Sequence, residues 1–106
     1  VAASDDPDQK TKFSNFGATK VQVAAPGLDI LSSLPRNHYA ELSGTSMAAP
    51  LVAGLAALLM AQAPSLSAEA IKEIILSTGD TVDIETECHC RINAEAAVKK
   101  ILAKNY

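Results

Sequence analysis

The hydrophobic pattern of the chain changes character near residue 43. Before it, apolar residues fall in short runs broken by proline, glycine and acidic turns; after it they recur at helical spacing. Val1-Ala2-Ala3-Ser4 reads as the end of a buried strand, and Asp5-Asp6-Pro7-Asp8-Gln9-Lys10 as a polar turn. Residues 13–17 predict a short extended piece ending at Gly17. Residues 21–25 alternate and then stay apolar, as a strand buried on both faces does, and Pro26-Gly27 ends it. Residues 28–33 and 39–42 flank the turn residues Pro35-Arg36-Asn37 and predict a hairpin or two short ribbons.

From Met47 to Ala61 no polar side chain occurs. That run falls short of the roughly 18 residues of a membrane span, and Pro50, Gly54 and many alanines dilute it. A helix apolar all round is therefore expected at the centre of a layered soluble domain. A second helix starts at Ser67 as N-cap, with Glu69 in its first turn and Leu66 stapled to Ile71. Ile71, Ile74 and Ile75 form its stripe, and Gly79 is its expected C-cap. A third starts at Asn93, with Ala97, Val98, Ile101 and Leu102 expected to face inward and Lys99, Lys100 and Lys104 towards its C-terminal end. Strands first and helices after give an α/β layer fold. The strands are too few to cover three such helices.

Composition narrows the partners. The 106 residues make one domain or a piece of one, 48% hydrophobic and 20% charged, which excludes a disordered chain. A net charge of −3 without a basic run, and few aromatic residues, speak against nucleic acid. The chain opens on Val1, with neither initiator methionine nor signal peptide, so a processed product or a fragment is expected.

The chemistry concentrates where the two patterns meet, in Ser43-Gly44-Thr45-Ser46-Met47-Ala48-Ala49-Pro50. A serine hydroxyl becomes a nucleophile only with a base to take its proton and donors for the oxyanion. Gly44 allows a tight turn and close substrate approach. Thr45 as cap would place Ser46 at the first helical position, with its N–H free to point at an oxyanion. Pro50 cannot donate to the Ser46 carbonyl, and Met47 beside the serine would be a site of oxidative inactivation. A Thr-Ser pair before a helix, taken alone, reads as plain capping.

The whole string carries more than the pair. Gly44-Thr45-Ser46-Met47-Ala48-Ala49-Pro50 followed by Val52-Ala53-Gly54 closely resembles the serine motif of subtilisin-like serine proteases, the subtilases. Val1-Ala2-Ala3-Ser4-Asp5, residues 13–17 and Ala24-Ala25-Pro26-Gly27 stand in that family's order before its serine, and Arg91-Ile92-Asn93-Ala94 resembles the start of its C-terminal helix. The resemblance implies a doubly wound, mostly parallel sheet with helices on both faces, and the helix after Ser46 running through the middle. It implies a serine endopeptidase acting on protein or peptide substrates through an acyl-enzyme. Ser46 matches the nucleophile and one backbone oxyanion donor; Gly44, Thr45, Met47 and Pro50 support the motif. Leu51 departs from it, since many members have histidine there, but that residue is not the base.

The family's chain order is Asp, His, Ser. Both partners and the side-chain oxyanion asparagine are therefore expected upstream, and residues 1–106 form the C-terminal portion of a catalytic domain. Its closest partner would be the upstream part of that domain. Alone, the chain is expected to be inactive; the competing reading is a non-catalytic pseudoenzyme or subunit that binds a partner through the sheet edge. His38 in the hairpin turn, His89 between two cysteines and Asp29 at a strand end are poor substitutes for the missing base and acid. No metal or cofactor is expected in this chain, with calcium an expectation for the complete domain only. The Asp5-Asp6-Asp8 cluster lacks the loop glycine and distal glutamate of an EF-hand and reads as a solvated turn. Cys88-His89-Cys90 supplies at most three zinc ligands, and free thiols or pairing with an upstream cysteine are expected over a bridge between residues two apart. An extracellular location follows from the resemblance alone.

Overall fold

The computed structural model describes residues 1–104. Strands β1 (Ala2–Ser4), β2 (Ala24–Pro26), β3 (Ile30–Leu34) and β4 (His38–Leu42) precede helices α1 (Thr45–Gln62) and α2 (Ala68–Thr78). Strands β5 (Asp80–Thr81) and β6 (Cys90–Arg91) then lead to α3 (Ala94–Lys104). Four strands form one sheet in the order β1-β2-β6-β5, parallel from β1 to β6 and antiparallel only between β6 and β5. The fold is α/β with a mostly parallel sheet. β3 and β4 form a separate antiparallel hairpin around Pro35-Arg36-Asn37, in which Arg36 and Asn37 take positive φ.

Alternation in the strands decides which face is covered by what. Ala3 and Ala25 point towards α1 and pack with Ala48, Val52 and Ile92. Ala2 and Ala24 point the other way and meet Ile84, with Val21 and Val82 alongside. The three helices gather on the Ala3–Ala25 face: Leu55, Leu59 and Ala63 of the α1 region pack with Ile71, Ile74 and Ile75 of α2 and Ala97 and Ile101 of α3. The opposite face is covered by the segment between β5 and β6 rather than by a helix, so helices on both faces do not occur among the described residues.

The predicted stripes of α2 and α3 hold, with one correction: Leu102 is exposed. Ser67 Oγ accepts the Ala70 N–H, and Asn93 Oδ1 accepts the Ala96 N–H at 2.9 Å. Gly79 does follow α2, but at φ −67° it has no need of a left-handed backbone. Its requirement is space, because a Cβ there would lie 2.5 Å from Cys90 Sγ and 2.8 Å from the Arg91 carbonyl oxygen. Gly79→Ala is expected to destabilise the chain by about 1–3 kcal/mol, as overpacking against fixed atoms does, read as a fall in the thermal midpoint.

Residues 13–17 form no strand. Ser14 and the preceding Thr11 instead pin β1: the Ala3 N–H donates to Ser14 Oγ at 2.8 Å, and the Thr11 N–H donates to the Ala3 carbonyl at 3.1 Å. The outer edge of β1 is thus partly occupied by its own chain, which weakens the expectation that a partner adds to that edge.

The acidic turn is not simply solvated. Asp5 Oδ1 accepts the Gln9 N–H, while Asp8 and Asp80 both pair with Arg91 at 2.7 Å. Asn93 Nδ2 also donates to Asp80. These hydrogen bonds, Asn93 first and Arg91 second, hold the Asp80 carboxyl below its ordinary value of 3.8. A depressed folded pKa means the contribution to stability is present above about pH 4 and is lost as the pH falls through the lower, folded value. The acid-induced fall in thermal midpoint below pH 4 is expected to be smaller in Asp80→Asn than in the parent chain. An equal fall in both would show that Asp80 has no part in it.

The two cysteines correct the sequence expectation most plainly, for Cys88 and Cys90 are joined in a disulfide. A turn explains it. His89 takes φ 47° and its N–H donates to the Thr86 carbonyl, which brings the Cα atoms to 5.1 Å, within the bridging range. Neither sulfur is then free to bind zinc.

Helix α1 also differs from expectation. It runs 18 residues and is long and apolar enough, by length and composition, to cross a membrane, so the length argument against a span does not hold. Only Ala48, Leu55 and Leu59 are buried. Leu58 and Met60, on different sides of the helix, stand 46% and 54% exposed, so only the face carrying Ala48, Leu55 and Leu59 is covered. Its covered face docks on both the sheet and the other two helices.

Candidate active site

The turn that delivers the chain to α1 is built from two glycines. The Gly44 N–H donates to the Gly27 carbonyl at 2.8 Å, tying the end of β2 to the start of the helix. A Cβ on Gly27 would come within 2.5 Å of Ala3 Cβ and 2.8 Å of the Gly44 carbonyl oxygen. Gly44 itself sits at φ 154°, ψ 165°, a region essentially restricted to glycine. Pro26-Gly27, expected from the sequence as a strand terminator and as part of the family resemblance, has this contact as a further role. Ser43 was missed: its Oγ accepts the Asp29 N–H at 2.8 Å and pins the base of the hairpin. A serine beside the glycine turn was the available signal.

Gly44 is the N-cap, not Thr45, and no side chain caps the helix. Ser46 is accordingly the second helical residue. The Gly44 carbonyl accepts the N–H groups of both Met47 and Ala48. Those of Thr45 and Ser46 precede the helical ladder and lie at the positive end of the helix dipole. No acidic residue occupies the first turn to neutralise it. Pro50 leaves the Ser46 carbonyl without its i+4 donor.

Ser46 is exposed and borders a groove of about 310 Å³ between the hairpin and the helix start. Ile30, Leu31, Leu34 and Leu42 line one side, and Met47, Pro50 and Leu51 the other. The groove is mainly apolar and open to solvent; its serines are Ser32 and Ser33 on the hairpin and Ser46 at the helix N-terminus. Met47 also leans back towards Gly44, its Sδ 3.4 Å from where a Cβ would stand.

The structure brings none of the candidate bases to that hydroxyl. His38 is the first residue of β4, paired with Leu34 at the far end of the hairpin, and it is exposed. His89 lies between β5 and β6, exposed beside the disulfide. Asp29 stands exposed at the hairpin base with φ 53°. Among the described residues, no hydrogen bond links Ser46 Oγ to a histidine or a carboxylate.

The sequence profile described as the subtilase family matches residues 1–99. This chain belongs to the subtilase family. Thermitase from Thermoactinomyces vulgaris is 49% identical to it over 82 residues, covering 77% of this chain and 28% of thermitase. A thermophilic serine proteinase from Bacillus sp. (strain AK1) is 58% identical over 62 residues, covering 58% of this chain and 15% of the relative. Among solved structures, a protease from Pseudoalteromonas arctica superposes with a TM-score of 0.85 at 31% identity, over 94% of this chain and 34% of its own. The subtilase chain thus spans between about a seventh and a third of these three proteins. By family it belongs among serine peptidases, and its α/β sheet with flanking helices is the corresponding part of the subtilase fold.

Proposed function

We propose that residues 1–106 are the C-terminal portion of a subtilisin-like serine endopeptidase domain, with Ser46 as acylating nucleophile. The observation that carries this is the pairing of an exposed Ser46 hydroxyl with its own N–H ahead of the helical ladder, both beside the groove. A peptide carbonyl held there would receive the Ser46 oxygen. The resulting oxyanion would be stabilised by the Ser46 N–H and the uncompensated dipole of α1. The apolar groove suits a side chain flanking the scissile bond and excludes water from one side of it.

The reaction also needs a base to take the hydroxyl proton and pass it to the leaving amine, and an acid group to orient that base. This chain places neither at Ser46. Competence therefore requires the upstream part of the domain, which would bring the histidine, the aspartate and a second oxyanion donor. The exposed apolar residues of α1, Leu51 and Leu58 on one side and Met60 on another, support that reading, because apolar surface of this kind needs a cover. It equally fits a non-catalytic subunit held to a partner chain. Proteins and peptides are the substrates; calcium sites, where the family has them, belong to the completed domain. The Cys88–Cys90 bridge supports an oxidising, extracellular setting.

The deciding experiment joins the chain to an upstream subtilase segment carrying the aspartate, histidine and asparagine, and assays peptide hydrolysis with and without Ser46. Hydrolysis that depends on Ser46 supports the enzyme. A folded, completed domain without hydrolysis supports the binding subunit instead.

A further inference from the structure

The feature the proposed function does not use is the bridge at Cys88-His89-Cys90. It sits at the end of the segment that covers the second face of the sheet, where Ile84 packs on Ala2 and Ala24 and Thr86 is fully buried. That segment has fastenings other than the bridge. The Glu87 and Cys88 N–H groups donate to the Val21 and Gln22 carbonyls, the Gly17 N–H donates to the Glu85 carbonyl, and the Val82 N–H donates to the His89 carbonyl. The cover can therefore keep its path when the sulfurs part.

The two sulfurs are unequally accessible. Cys90 is 3% exposed, inside β6 and against Gly79, whereas Cys88 is only half-buried. Each also lies against an acceptor that a disulfide cannot use. Cys90 Sγ is 3.5 Å from the Leu76 carbonyl oxygen. Cys88 Sγ is 3.5 Å from the Cys90 carbonyl oxygen; Thr86 Oγ1, at 3.8 Å, can donate to the sulfur in either state. A disulfide sulfur carries no hydrogen, but a thiol does. The acceptors around the pair thus match the reduced form, while the turn geometry permits the oxidised one.

We propose that the Cys88–Cys90 bridge is a reversible redox clamp on the segment 82–89, opened by a small dithiol that attacks at Cys88. The attacking thiolate forms a bond to Cys88 Sγ as the Cys88–Cys90 bond breaks; the electron pair leaves on Cys90 Sγ, which takes a proton from water. The second thiolate of the reductant then closes on the first, releasing Cys88 as a thiolate that is protonated in turn. The bridge gains two electrons and two protons, and the dithiol becomes a cyclic disulfide. The released Cys90 thiol donates to the Leu76 carbonyl and stays inert. Opening removes a three-residue loop closure and loosens the cover over Ile84 at a distance from the Ser46 groove.

The test treats the native chain with dithiothreitol without denaturant and traps thiols with iodoacetamide. Two thiols should be released with the helical circular-dichroism signal retained, and Cys88 should be alkylated ahead of Cys90. Proteolytic cleavage within 82–89 should rise about tenfold, the opening equilibrium that the chain-entropy account gives for so short a loop. Oxidised glutathione should restore the bridge and the original cleavage rate. The Cys88→Ser, Cys90→Ser double variant should be cleaved at the faster rate with or without reductant. A bridge that resists reduction until the chain is denatured, a helical signal that collapses on reduction, or an unchanged cleavage rate would each overturn the proposal. Equal alkylation rates would contradict attack at Cys88. The measurements on the parent chain decide the matter even if the double variant does not fold.

Discussion

Replacing Ser46 by alanine in the completed domain is expected to lower kcat for peptide hydrolysis by about 10⁶-fold with KM little changed, a magnitude carried over from subtilisin itself. The size follows from what the hydroxyl does: without it no acyl-enzyme forms, and the base has no proton to move. KM should hold because the groove walls, Leu31 and Leu42 on the hairpin and Met47 and Leu51 on α1, are untouched. The variant should also fold normally. Ser46 is exposed, makes no capping bond, and leaves Gly44 to set the turn. Steady-state kinetics beside a thermal melt separate the two effects. A loss of activity matched by a loss of folded protein would return Ser46 to a structural role.

The second large effect falls on the core. Leu59 is fully buried on α1, where the helix meets Ile71, Ile74 and Ile75 of α2 and Ala97 and Ile101 of α3. Leu59→Ala should destabilise the chain by about 2–5 kcal/mol, because the transfer free energy is lost and a cavity remains. In a domain whose whole stability is on the order of 5–15 kcal/mol, that approaches unfolding at 37 °C. Met60, one residue along, is the natural control: it is 54% exposed, and Met60→Ala should shift the midpoint far less. Chemical denaturation of both variants checks the contrast. Equal shifts would mean that α1 is not docked in the way the structure shows.

The helices were the most legible part of the sequence, because caps and apolar spacing are local signals. Ser67 and Asn93 cap where their side chains permit, and Ile71, Ile74 and Ile75 face inward as their spacing demands. The exposed Leu102 shows the limit, since spacing does not say how much cover a last turn receives. Strands β5 and β6 are two residues each and have no periodicity to read. The shift of the cap from Thr45 to Gly44 has a physical cause as well. Gly44 can adopt an extended, positive-φ conformation that closes the turn on Gly27, and the helix then begins one residue early. The motif around Ser46 was legible through family resemblance, but the groove was not. It depends on how the hairpin stands over α1, which Ser43 and Gly27 set through contacts distant in sequence. The disulfide was misjudged because sequence separation alone hides the positive φ of His89 that makes it feasible.

Ser46, its N–H and the helix dipole are in this chain, while no base or orienting acid among the described residues is brought to it. Labelling of the isolated 106-residue chain with a fluorophosphonate probe tests that most directly. No more than trace modification of Ser46 is expected, indistinguishable from the Ser46→Ala background, with strong labelling once the upstream part of the domain is supplied. Strong labelling of Ser46 in the isolated chain would contradict it, and would mean that a group within these residues activates the serine.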